Sequence, residues 1–128
     1  MKILLDACTF LWIITDDPRL SQKARNLFVN PENQVYLSAS STWEIVVKYT
    51  IGKLLLPAPP QEYVPLKRKA HSIDSLPVDE EAALYLAKLP DLHRAPFDRI
   101  SICQAIVARS IILTPDALVT QYPLRTVW

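Results

Sequence analysis

Residues 2–6 read Lys2-Ile3-Leu4-Leu5-Asp6, an unbroken apolar run closed by a carboxylate. Successive side chains of a strand point to opposite faces, so a run with no polar alternation predicts a strand buried on both sides. Ile111-Ile112-Leu113 repeats the pattern, and Gln34-Val35-Tyr36-Leu37-Ser38 predicts a further strand. Ser72–Leu76 and Arg125–Trp128 read as two more. The segments between them carry helical spacing. Thr9–Ile14 is one, and Ser21–Phe28 is another, with Ala24, Leu27 and Phe28 on one side. Ser41–Ile51 aligns Trp43, Val46, Val47 and Thr50, with Gly52 as its stop. Pro60–Ala70 is predicted helical, Asp79 caps a helix through Leu89, Pro96 opens one reaching about Arg109, and Asp116–Thr120 is a helical turn. Strands alternating with helices predict an α/β fold, with a central, mainly parallel sheet flanked by helices.

The chain is 128 residues long, which suits a single domain, and its formal net charge is +1. Half of its residues are hydrophobic and 21% are charged, a balance that excludes a disordered tail. With one glycine, Gly52, it cannot build a glycine-rich phosphate loop of either the mononucleotide or the dinucleotide kind. Lys2 before an apolar stretch faintly resembles a signal peptide, but Asp6 interrupts the stretch and no small-residue cleavage site follows. No apolar run approaches the roughly 20 residues of a membrane span. Two distant cysteines without metal-ligand spacing complete the picture of a cytoplasmic, thiol-containing domain.

In parallel sheets, ligands bind beyond the carboxyl ends of the strands. Four acids fall there. Asp6 follows the first strand and Asp116 follows Ile111–Leu113; Glu44 and Asp98 lie near the starts of helices. Grouped, they repel one another unless a cation neutralises them, and oxygen-only donors favour Mg²⁺ or Mn²⁺ over zinc. Each also has an ordinary reading. Ser41-Thr42-Trp43-Glu44 is a capping-box pattern, Asp98 suits a helix dipole, and Asp116 suits a cap. Asp6 is harder to dismiss, because a carboxylate against a buried strand is costly unless paired.

Other residues read as structural. His71 and His93 lack partners at ligand spacing, Cys8 and Cys103 read as buried thiols, and Lys67-Arg68-Lys69 reads as a solvated helix face. Trp12, Trp43 and Trp128 read as core or interface residues. Setting the four acids aside leaves 14 basic against 9 acidic side chains, so a near-neutral total can hide a basic surround to an acidic pocket. That combination suits a metal-dependent enzyme acting on a nucleic-acid backbone.

Leu4-Leu5-Asp6, Ser41-Thr42-Trp43-Glu44-Ile45, Arg94-Ala95-Pro96-Phe97-Asp98-Arg99 and Thr114-Pro115-Asp116 occur in the order of a PIN domain. The chain resembles, over essentially residues 1–128, the toxin ribonuclease of a VapBC-type type II toxin–antitoxin module. The resemblance implies a PIN fold and an Mg²⁺- or Mn²⁺-dependent endoribonuclease acting on RNA. It assigns Asp6, Asp98 and Asp116 as the main ligands, with Glu44 completing the shell through water or orienting the nucleophile. Thr114 and Ser41 match supporting polar positions. It also implies a homodimer and a cognate antitoxin whose tail lies in a groove. Two departures stand out: Asp6-Ala7-Cys8 where this subgroup usually has Asp-Thr-His, and Ala95 where it usually has Asp. They motivate a second reading, a PIN-like domain with little turnover that acts through its partner. A receiver-like signalling domain is a third, poorer reading: Ser38-Ala39 and Thr114-Pro115 follow strands where that domain needs Asp and Lys.

Overall fold

In the computed structural model, which describes residues 1–128, β1 (Lys2–Leu5) is the middle strand of a five-stranded sheet. β2 (Gln34–Ser38) lies on one side of it and β4 (Ile111–Leu113) on the other. β3 (Asp74–Leu76) and β5 (Thr126–Val127) form the two edges, giving the order β3-β2-β1-β4-β5. Every neighbouring pair is parallel; Leu5 stands beside Leu37 on one side and Leu113 on the other.

The strand pleat sorts the core into two layers. Ile3 and Leu5, with Val35, Leu37, Ile111 and Leu113, face one side. They meet Phe10 and Ile13 of α1 (Ala7–Ile14), Ala24 of α2 (Gln22–Val29) and Val64 of α4 (Pro60–Ala70). Leu4 and Ile112 face the other side. There they meet Ala82 of α5 (Glu80–Tyr85), Ile102 and Ala105 of α6 (Pro96–Ala108) and Val119 of α7 (Ala117–Thr120). Ile3, Leu4, Leu5, Phe10 and Ile102 are all essentially solvent-free. Burying each contributes roughly 1.5–3 kcal/mol, so the central strand is the most heavily anchored part of the chain.

α3 (Ala39–Thr50) departs from the sequence expectation in start and in facing. It begins two residues earlier than Ser41, directly from β2, with Ser38 as its N-cap. Its buried residues are Ser40, Ser41 and Ile45, whereas Trp43 is 63% exposed and Val46 and Thr50 also face solvent. The apolar stripe is real, but it points outward. The inward side is small and polar because α3 packs closely on α6. Ser40 Oγ pairs with Ser101 Oγ at 3.0 Å, and Ser38 Oγ hydrogen-bonds Gln104, whose amide donates to Pro77 O at 3.0 Å. Every member of that seam has a partner, which is what makes a buried polar contact tolerable. Gly52, at φ 78°, ends the helix as its sequence position implied. α5 is shorter than expected, with turns carrying the chain from Leu86 to Leu89.

Because the strands are parallel, their carboxyl ends share one edge of the sheet. Asp6 and Thr114 leave the sheet there, each immediately after its strand, and Ser38 is the last residue of β2. No helix is long and apolar enough to cross a membrane.

Candidate active site

At that edge the structure brings Asp6, Glu44, Asp98 and Asp116 together as lining of one cavity of about 240 Å³. Ala7, Cys8, Lys48, Ala95 and Phe97 complete its wall. The four acids come from four separate stretches of chain, so only the sheet topology unites them.

Asp6 is the N-cap of α1, its Oδ1 accepting the Thr9 amide at 2.8 Å. Thr9 in turn donates its hydroxyl to Leu113 O at 2.8 Å, tying the start of α1 to the end of β4. Asp116 caps α7, with Oδ1 accepting the Leu118 amide at 2.9 Å, and its own amide donates to Thr114 Oγ1 at 3.1 Å. Asp98 lies in the first turn of α6, a helix opened by Pro96, whose missing N–H costs nothing at that position. Glu44 sits in the second turn of α3, so the capping-box alternative is not realised; its Oε2 instead accepts from Lys48 Nζ at 2.6 Å.

The carboxylates sense one another. Burial pushes the Asp6 carboxyl above its ordinary range; the Thr9 amide and the Thr9 and Thr114 hydroxyls oppose this, and the Glu44 charge adds to it. Burial likewise raises Asp98, against its hydrogen bond from His93, with the Glu44 and Asp116 charges adding to the rise. Lys48 is held protonated, above its ordinary range, by its bond to Glu44. The site therefore has concentrated negative charge, partial burial and one compensating cation on its wall. An oxygen-only donor set in which burial and neighbouring charge oppose the ionisation of Asp6 and Asp98 is the chemistry a hard divalent cation relieves. No three of these groups stand close enough to share an ion as they are; each acid is meanwhile held by a protein partner.

His93 was read from the sequence as structural, yet its ring is almost wholly buried against Asp98, with Nε2 3.2 Å from Oδ2. Its Nδ1 lies 2.7 Å from the Tyr122 hydroxyl, which also accepts from Arg99 Nη1 at 3.0 Å. Sequence spacing hid this arrangement, because His93 and Asp98 are five residues apart across a helix start and Tyr122 arrives from beyond α7. Lys48 was missed as well, although it stands four residues after Glu44 on one helix. Of the supporting positions, Thr114 is buried beside Asp6 and Asp116, whereas Ser41 is buried in α3 and does not line the cavity.

The thiols divide. Cys103 is buried as expected, but Cys8 is exposed, because it lies one residue into α1 on the side away from Phe10. It borders both the acidic cavity and a larger one of about 590 Å³, lined by Leu11, Trp12, Leu54, Leu56 and Tyr63 among others. His71 is structural as read: its Nδ1 lies 2.8 Å from Lys67 O and its ring lies against Phe28.

The family profile described as PIN domain matches residues 3–122. Ribonuclease VapC16 of Mycobacterium tuberculosis (strain ATCC 25618 / H37Rv) is 38% identical over 66 residues, covering 48% of this chain and 47% of that protein. The match thus spans about half the length of this curated relative. Among solved structures, VapBC2 from Rickettsia felis, bound to a DNA fragment from their promoter, is similar with a TM-score of 0.71 at 17% identity, over 99% of this chain and 98% of that one. DNA-bound VapBC from Salmonella typhimurium gives 0.70 at 19% identity, over 99% and 97%. VapBC-1 from nontypeable Haemophilus influenzae gives 0.69 at 15%, over 99% and 97%. At such identities these likenesses speak for the fold.

Proposed function

This chain belongs to the PIN domain family, and from that premise we propose that it is a divalent-metal-dependent endoribonuclease, the toxin of a VapBC-type type II toxin–antitoxin module. The observation that carries the reading is the meeting of Asp6, Glu44, Asp98 and Asp116 in one cavity at the carboxyl edge of the sheet. The match to a ribonuclease of the VapC group supports it.

Asp6, Asp98 and Asp116 would hold Mg²⁺ or Mn²⁺, with Glu44 completing the shell through water or orienting the nucleophile. When bound, the cation offsets the carboxylate charge, acidifies water and polarises a phosphodiester. The chain's own residues supply the geometry. The Thr9 amide fixes Asp6 at the sheet edge, and Thr114 spaces Asp6 from Asp116. Lys48 stands on the cavity wall as a cation able to meet a phosphate once Glu44 turns away from it. Hydrolysis by activated water needs no covalent enzyme intermediate, and no nucleophile–base pair is required of Cys8.

The partners follow the same reading. The apolar cavity beside Cys8 suits the tail of a cognate antitoxin, since Leu55 at its rim is 92% exposed. The outward stripe of α3 with Phe97, around a cavity of about 390 Å³, suits a second copy of the chain in a homodimer. On this reading the protein works on RNA in the cytoplasm.

A second reading, partner binding with little turnover, draws on Ala7, Cys8 and Ala95 in the cavity wall and on the protein partners each acid already has. One experiment separates the two. A pool of structured and single-stranded RNA is incubated with wild type, Asp6→Asn and Asp98→Asn, each with Mn²⁺, Mg²⁺ or chelator. Metal-dependent cleavage lost in both variants is expected. Equal cleavage by all three proteins would remove the carboxylate mechanism. Metal binding without cleavage would transfer the function to the partner-binding reading.

A further inference from the structure

We infer that His93, locked by Tyr122, is the positioning residue for Asp98: an imidazole whose Nε2–H is aimed at the carboxylate and sets it for cation binding. The inference rests on the reading of Asp98 as a cation ligand, and it extends that reading to residues outside the acidic quartet.

Donors and acceptors around Tyr122 fix the His93 tautomer. A tyrosine hydroxyl has one hydrogen to give and two lone pairs to receive with. At Tyr122 both lone pairs are taken, one by the His93 amide at 3.1 Å and the other by Arg99 Nη1 at 3.0 Å. Its hydrogen is left for His93 Nδ1 at 2.7 Å. Nδ1 must then be the acceptor nitrogen, so the ring proton sits on Nε2, 3.2 Å from Asp98 Oδ2. The chain Arg99 to Tyr122 to His93 to Asp98 therefore satisfies every member in one tautomer only.

The surroundings make the lock rigid. Tyr122 is buried in the layer formed by α6 and α7, and the two rings meet edge to face at 5.3 Å. Arg99 also donates to Pro90 O at 2.9 Å and His93 O at 3.3 Å, pinning the segment that carries His93 to the first turn of α6. A ligating carboxylate that is hydrogen-bonded from behind presents its remaining lone pairs in a fixed direction, and such outer partners typically change metal affinity by roughly 10- to 100-fold.

Two measurements test this. Nitrogen NMR of the His93 ring in metal-free protein, at a pH where the imidazole is neutral, should show the Nε2–H tautomer; an Nδ1–H tautomer overturns the inference. Calorimetric Mn²⁺ titration should show affinity weakened roughly 10- to 100-fold in His93→Leu. A smaller loss in Tyr122→Phe is expected, with near-complete recovery in His93→Gln, whose amide can still donate to Asp98. Thermal unfolding monitors the fold of each variant, and a purely structural role would lower stability in all three without this ranking of affinities. Wild-type affinity in His93→Leu, or no recovery in a folded His93→Gln, overturns it. If wild type itself binds no Mn²⁺, the cation reading of the site falls, and the tautomer alone then supports or overturns the lock.

Discussion

Lys48 Nζ lies 2.6 Å from Glu44 Oε2, and it is the only cationic side chain on the wall of a cavity otherwise charged by carboxylates. The pair is spaced i, i+4 with the acid nearer the helix N-terminus, the favourable order, and Lys48 is half exposed. Such a pair is worth about 0.3–0.5 kcal/mol, so its weight lies in the site's potential rather than in stability.

Lys48→Met should therefore leave thermal unfolding almost unchanged, while freeing Glu44 and deepening the negative potential. Mn²⁺ binding should tighten several-fold, and KM for RNA should rise through loss of a phosphate contact. Calorimetry and steady-state cleavage check the two directions separately. Weaker Mn²⁺ binding in the variant would mean that Lys48 orders the acids instead of competing with the cation.

Asp6→Asn separates stability from chemistry. Asparagine caps a helix about as well as aspartate, so the bond to the Thr9 amide survives. The substitution also removes a charge whose ionisation burial opposes. The variant should be at least as stable as wild type, yet lose metal-dependent cleavage by two orders of magnitude or more. A destabilised variant with proportionally lower activity would instead make Asp6 a structural residue.

Stability should also depend on pH in a direction set by the site. Asp6 and Asp98 are raised in the folded protein, so above their ordinary range the folded state holds protons that the unfolded state has released. Their contribution is thus lost as pH rises from about 4 through their folded values. Asp17 acts oppositely and lower down: its bonds from Arg19 hold it at about 2, so its contribution is lost as pH falls through that value. Without divalent cation, the Tm should fall as pH rises above the ordinary carboxylate range; with saturating Mn²⁺ the fall should shrink or reverse. A cation-independent profile would argue against binding at these carboxyls.

Ala95 is the N-cap of α6 and offers that helix no side-chain bond. Ala95→Asp would supply a cap worth about 0.5–2 kcal/mol and, on the same atom set, a further carboxylate in the cavity. The two effects oppose each other in chelator and add once a cation is bound. The Tm gain on adding Mn²⁺ should accordingly be larger in the variant than in wild type. An equal gain would place the new carboxylate out of reach of the ion.

Much of this architecture was legible in the chain. β1, β2 and β4 lie at the residues their apolar runs marked, and α4 has the expected bounds, because Pro60 and the following helical spacing leave little choice. Continuous burial on both faces leaves a mark in the sequence that survives any detail of packing. The facing of α3 was not legible. An apolar stripe of Trp43 and Val46 announces a surface to be covered, but not whether the chain's own core covers it. Here Ser40 and Ser101 occupy the inner contact, since only small side chains let α3 and α6 approach within hydroxyl hydrogen-bonding distance. The exposure of Cys8 has a related cause: a cysteine's preference for burial says nothing about which side of an eight-residue helix it falls on.

What the sequence determined by itself is the order of strands and helices, and with it the placing of acids after strand ends and near helix starts. Those follow from local periodicity and capping, which act over a few residues. What only the tertiary structure decided is which distant groups meet. Asp6, Glu44, Asp98 and Asp116 share a cavity because parallel strands bring their carboxyl ends to one edge. His93 faces Asp98 because Tyr122, 29 residues further on, returns to hold it. Contacts of that kind depend on the packing of whole layers, and no short-range pattern in the chain encodes them.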